Sequence, residues 1–134
     1  MTKPTKRLPD WMLRLDALAC AIRAVPFAWG AHDCCTVASA VVEACTGADV
    51  MGDLRGQYDT ALGAARLIDS LGGMAAILAE RLGPEVPVIC AQPGDIGLGD
   101  DGRLVWFGGA MWHGPGDAGL VTTDAPARVW RCHV

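Results

Sequence analysis

Cys34 stands directly after Asp33 in the stretch Trp29-Gly30-Ala31-His32-Asp33-Cys34-Cys35-Thr36. Asp33 is a good helix N-cap, and an apolar helical pattern follows it. A cysteine in that place meets the unpaired N–H groups and the positive end of the helix dipole, which favour the thiolate. A thiolate there is a nucleophile, provided a base takes the thiol proton and returns it to the leaving group. The plain alternative is that Cys34 and Cys35 open a buried helix and do no chemistry. Three histidines are candidates for the base. His32 lies in the loop leading to the helix. His113 follows Met111-Trp112 and serves only if that segment folds inward. The competing reading of Met111 to Gly116 is an exposed loop that contacts another protein, because Trp and Met are enriched in interface cores. His133, near the last residue, is expected at the surface.

The other polar positions read more simply. Cys20 and Cys45, two of the six cysteines, lie in apolar helical patterns, where a free thiol behaves as a small hydrophobe. The only close cysteine pair, Cys34–Cys35, has a poor chelate spacing. No metal and no cofactor is expected; a metal site would have to draw on His32, Cys34, Cys35 and Cys90. Asp33 is expected as a cap, and Asp95 as an acceptor of backbone N–H bonds in a turn. Asp100-Asp101 reads as a solvated hairpin tip. Gly97-x-Gly99 is not a phosphate loop, because no helix follows it.

These positions need elements to hold them. Trp11, Leu15, Leu18, Ile22 and Val25 fall on one face of a helix that starts near Asp10 and stops by Pro26. A second helix spans Cys34 to Thr46, with Gly47 as its stop. A third runs from about Thr60 to Leu71, before Gly72-Gly73. A fourth covers about Met74 to Leu82, before Gly83-Pro84. After residue 84 the chain turns to short strands: Val86–Cys90, Asp95–Leu98, Arg103–Phe107, Gly119–Thr122 and Arg128–Cys132. Gly, Pro and Asp clusters separate them. Helices first and antiparallel strands afterwards predict an α+β fold.

The chain has 134 residues, enough for one domain with one core. Hydrophobic residues make up 51% and charged residues 19%, which excludes a disordered tail. The net charge of −4 argues against a grip on nucleic acid or anionic lipid. No apolar run approaches the ~20 residues of a membrane span. The N-terminal MTKPTKRLPDW is not followed by an apolar leader, so reduced thiols are expected. The 17 glycines exceed the ordinary share of roughly 7%. They suit a domain built to sit against other protein.

Two motifs carry a family resemblance. Asp33-Cys34-Cys35-Thr36, its apolar helix and the closing Thr46-Gly47 resemble the D-C-S-G helix of the NlpC-type cysteine peptidases, papain-like enzymes of bacterial cell-wall peptide. Gln92-Pro93-Gly94-Asp95-Ile96-Gly97-Leu98 resembles that family's R-P-G-D strand opening. Together with Arg55-Gly56-x-Tyr58 and Val129-Trp130-Arg131, the pattern is similar to a phage branch of short proteins encoded among tail genes. The resemblance implies Cys34 as nucleophile and a papain-like domain over residues 1–134, with 1–9 as a flexible arm. Its helices would pack on a small antiparallel sheet or half-barrel. The family's base is a His opening the strand after the P-G-D strand. Here that slot holds Leu104, or Arg103 with a shift of one, and neither is a base at neutral pH. His113 falls near the family's third polar residue.

The implied function is therefore a phage tail or tail-tip assembly component, carried in the virion and made in the host cytoplasm, with a degenerate peptidase fold. Its partners would be other tail proteins. The alternative is a peptidase or amidase cutting cell-wall peptides during phage entry, with Cys34 as nucleophile and His113 as stand-in base.

Overall fold

A computed structural model of the chain describes residues 3–134. The fold is α+β: four helices precede six strands. The helices are α1 (Trp11–Ile22), α2 (Cys34–Thr46), α3 (Ala61–Ser70) and α4 (Met74–Arg81). The strands are β1 (Glu85–Val86), β2 (Ile96–Leu98), β3 (Leu104–Phe107), β4 (Trp112–Gly116), β5 (Gly119–Thr123) and β6 (Arg128–Trp130). They form one open sheet in the order β1-β6-β2-β3-β4-β5, with every neighbouring pair antiparallel. Among the described residues no single helix is long and apolar enough to cross a membrane.

Helix α2 is the core element. Val37, Ala38, Val41, Val42 and Cys45 are buried along it. Each fully buried Val or larger aliphatic side chain contributes roughly 1.5–3 kcal/mol. Helix α1 packs beside it through Leu15 and Ile22. It ends at Arg23, before Pro26, so Val25 falls outside the expected helical face. One sheet face, with Ile96, Leu104, Trp106 and Trp130, closes on the helices. The opposite face carries a smaller cluster of Val105, Trp112 and Val129. The alternation along Leu104-Val105-Trp106 is the period-two pattern of a strand buried on both sides.

Two expectations about the strands need correction. The Met111–Gly116 segment is not an exposed loop: Trp112–Gly116 is β4, paired with β3 and β5. Met111 is exposed, whereas Trp112 is buried. Its ring reaches the backbone of Gly97, where a Cβ would stand 3.0 Å away. Pro115 is tolerated because it faces Leu120, whose N–H turns outward to the Arg23 carbonyl at 3.0 Å, so the β4–β5 ladder loses no donor there, and the β3–β4 pairs end at His113. The expected strand Val86–Cys90 pairs only at Glu85–Val86. Pro87 cannot donate to the ladder, and the chain turns into a short 3₁₀ segment, Val88–Cys90.

From residue 3 on, the expected N-terminal arm lies against the domain; residues 1 and 2 fall outside the described residues. Pro4 is buried and its carbonyl accepts the Val134 N–H at 2.8 Å. The Leu8 N–H donates to the Cys45 carbonyl at 2.8 Å, and the Arg7 guanidinium lies over the Trp11 ring.

Candidate functional site at the start of α2

The local sequence builds the start of α2 tightly. The Asp33 side chain, 1% exposed, accepts the Thr36 N–H at 2.9 Å, while the Thr36 hydroxyl accepts the Asp33 N–H at 2.8 Å. This reciprocal cap pairs two otherwise orphaned helix donors. The second Asp33 oxygen accepts the Gly30 N–H at 2.9 Å and the Tyr58 hydroxyl at 2.6 Å. Gly30, at φ +80°, packs against the Tyr58 carbonyl where a Cβ has no room. The entering turn is closed by paired main-chain bonds between Ala28 and His32. Cys34 therefore occupies the first helical position with little freedom.

The Tyr58 loop is itself anchored. Arg81, buried to 5% exposure, donates to the Val50 carbonyl at 3.2 Å and to Asp53 at 2.9 Å. Asp49 accepts from Ser39 at 3.3 Å and is bidentate with Arg55.

Cys34 and Cys35 are half-buried, and each thiol shifts the ionisation of the other. The Cys35 thiol beside it holds the Cys34 thiol below its ordinary value, aided by the Leu104 and Cys34 main chain and opposed by burial and the Asp33 charge. The Cys34 thiol, together with burial, pushes Cys35 far up, so its proton stays. Burial and the bond to Asp33 push Tyr58 up as well, so its hydroxyl remains a donor. Chemically, the pair is one thiol poised to ionise and one that solvates it.

The thiols open on a cleft of about 760 Å³. Trp29, 42% exposed, forms one wall with Phe27, the two rings meeting edge to face at 4.8 Å. Ala64 and Ile68 of α3 form another, and Arg103 and Leu104 close the side toward the sheet.

No histidine lines this cleft. His113 pairs with Trp106 across the β3–β4 ladder, ring centroids 4.8 Å apart. Its Nδ1 is buried without a partner, and burial lowers its pKa. His32 joins the Ala28 turn through its main chain. His133 is half-buried rather than fully at the surface, its Nε2 3.2 Å from Arg7. Cys90 is exposed in the 3₁₀ segment and Cys20 on α1. Among the described residues, no three His, Cys, Asp or Glu side chains gather as a metal site.

Asp95 is 0% exposed and accepts backbone N–H bonds as expected, from Gln92 at 2.8 Å and Cys132 at 3.1 Å. It also pairs with Arg7 at 3.5 Å and Arg131 at 3.0 Å. Asp101 accepts the Arg103 N–H at 3.1 Å at an exposed hairpin tip. Tyr58, the single tyrosine, is the member of the Cys34 site whose contact the local pattern does not reveal. Its partner Asp33 lies 25 positions away.

A family model described as a domain of unknown function, DUF6950, matches residues 6–132. The chain belongs to this family. No curated protein and no solved structure matches the chain. The matched span of the DUF6950 domain takes in the whole Cys34 site, and also Arg7, Asp95 and Cys132 at the other end of α2.

Proposed function

We propose that this chain is a bacteriophage tail or tail-tip assembly component on an NlpC-type papain-like scaffold, with a cleft that binds without cutting. One observation carries the non-catalytic half of this reading. Leu104, in the place that the resemblance gives to the base, lines the cleft together with Cys34, and no histidine does. Without a base there, the thiol proton has no route to a leaving amine. The Leu104 side chain is 1% exposed and has no proton to give or take. The tail assignment rests on the motif resemblance and on the glycine-rich, weakly charged composition. Such a chain would be made in the host cytoplasm and carried in the particle beside other tail proteins.

A second reading is favoured by the depressed Cys34 thiol at the cleft: a peptidase or amidase acting on cell-wall peptide. It needs His113 to leave the Trp106 ring and reach the sulfur.

Incubating the full chain with peptidoglycan and following released peptide by mass spectrometry separates the two. No release is expected. In a phage that encodes the chain, deletion is expected to stop tail assembly, and Cys34→Ala to leave particle yield and infectivity unchanged. Peptide release that Cys34→Ala abolishes would overturn the assembly reading in favour of the second. Normal tails after deletion would overturn the tail assignment.

A further inference from the structure

The far end of α2 holds two cysteines that the cleft does not use. Cys45, in the last turn of α2, and Cys132, beyond β6, are both 0% exposed. Each thiol shifts the ionisation of the other. Gly94 lies directly over them: a Cβ there would stand 2.6 Å from the Cys45 Sγ and 3.8 Å from the Cys132 Sγ. The two sulfurs thus share one pocket that a larger residue would fill. Arg7 and Arg131, both paired with Asp95, border it. The Cys45 thiol, and then Arg7, favour the ionised form of Cys132, against burial. The Cys132 thiol and burial keep the proton on Cys45.

We propose that Cys45 and Cys132 are an oxidisable pair, converted by a low-molecular-weight disulfide into an internal disulfide that ties the end of α2 to the segment after β6. The Cys132 thiolate attacks one sulfur of the reagent, and one reagent thiolate leaves. Cys45 then gives up its proton and attacks the Cys132 sulfur, expelling the second. Two protein thiols are oxidised, and one reagent disulfide is reduced to two thiols that carry the two protons. Access comes from the last residues. Residues 131–134 are held by main-chain bonds to Gly83, Pro84 and Pro4, and lifting that strap bares Cys132. The inference stands apart from any role of the Cys34 cleft.

The test treats the full chain with oxidised glutathione, alkylates the remaining thiols and maps peptides by mass spectrometry. The expected product is a linked Cys45–Cys132 peptide pair lighter by two hydrogens. The closed loop is long, so Tm is expected to rise by roughly 10 °C and to fall back on reduction. Cys45→Ser and Cys132→Ser are expected to lose both signals, and Cys20→Ser and Cys90→Ser to keep them. The wild-type map decides the matter even where a serine variant fails to fold. An unresolved glutathione adduct, links confined to other cysteines, no reaction, or a lower Tm on linkage would overturn the proposal.

Discussion

The two ends of α2 are built from the same parts and come out differently. Each has an aspartate buried to within 1% and a pair of thiols that shift each other's ionisation. At the start of the helix, Asp33 is satisfied by main-chain donors and one neutral hydroxyl, and the thiols face a cleft. At its end, Asp95 is satisfied by two guanidiniums drawn from opposite ends of the chain, and the thiols are sealed. At the first site the Asp33 charge is held by neutral hydrogen-bond donors alone, beside an open cleft. Charged partners make the second a lock, because each ion depends on the other.

The largest effect is expected at the lock. Asp95→Ala leaves Arg7, Arg131 and two N–H groups without their shared acceptor, and is expected to cost about 3–5 kcal/mol in urea unfolding. A cost no larger than that at Asp33 would erase the distinction between the two ends. Asp33→Ala removes a cap and strands the Tyr58 hydroxyl, and about 2–3 kcal/mol is expected by the same measurement. Tyr58→Phe removes one of those bonds, for about 1 kcal/mol.

Thiol labelling sharpens the contrast without mutation. Peptide-resolved iodoacetamide kinetics are expected to show Cys34 reacting roughly 10²-fold faster than Cys45 or Cys132, whose exposure needs local opening. Only the thiolate reacts, and the Cys34 thiol is held low. Its labelling rate should therefore level off at a lower pH than that of an ordinary thiol near 8.5. A Cys34 profile at or above the ordinary value would remove the poised thiol from the picture.

The smallest effect lies outside both ends. Burial lowers the His113 pKa, so below about 6.5 the unfolded chain takes up a proton that the folded chain refuses. Stability is then expected to fall as pH drops from about 6.5 toward the folded value, and His113→Gln to flatten that slope. Asp49 and Asp53, held low by Arg55 and Arg81, lose their contribution only in more acid solution, as pH falls through their own depressed values. An unchanged slope in the variant would show that the imidazole is hydrated after all.

The helices and the start of α2 were legible because their signals are local. Asp33 and Thr36 cap within one turn, and Gly47 ends α2 at φ +79°. Strand β4 was not, because Gly114-Pro115-Gly116 has the composition of a turn and its fitness as a strand depends on Arg23, which accepts the neighbouring N–H. The sealed end was half legible. Asp95 announces a turn, but Arg7 reaches it across 88 positions, and no local period encodes such a meeting. The packing of His113 on Trp106 was not legible, because it depends on the β3–β4 register.

The sheet order sets a timetable for synthesis. Strands β2 to β5 form a run of sequential neighbours that can pair as they leave the ribosome. β1 cannot join them, because its partner in the sheet is β6, which also fills the place beside β2. The early strand must therefore wait for the latest one, with its edge and the apolar side chains around it uncovered. A nascent chain halted before Arg128 would hold α2 and the meander but an unfinished sheet, and would be the form that chaperones meet.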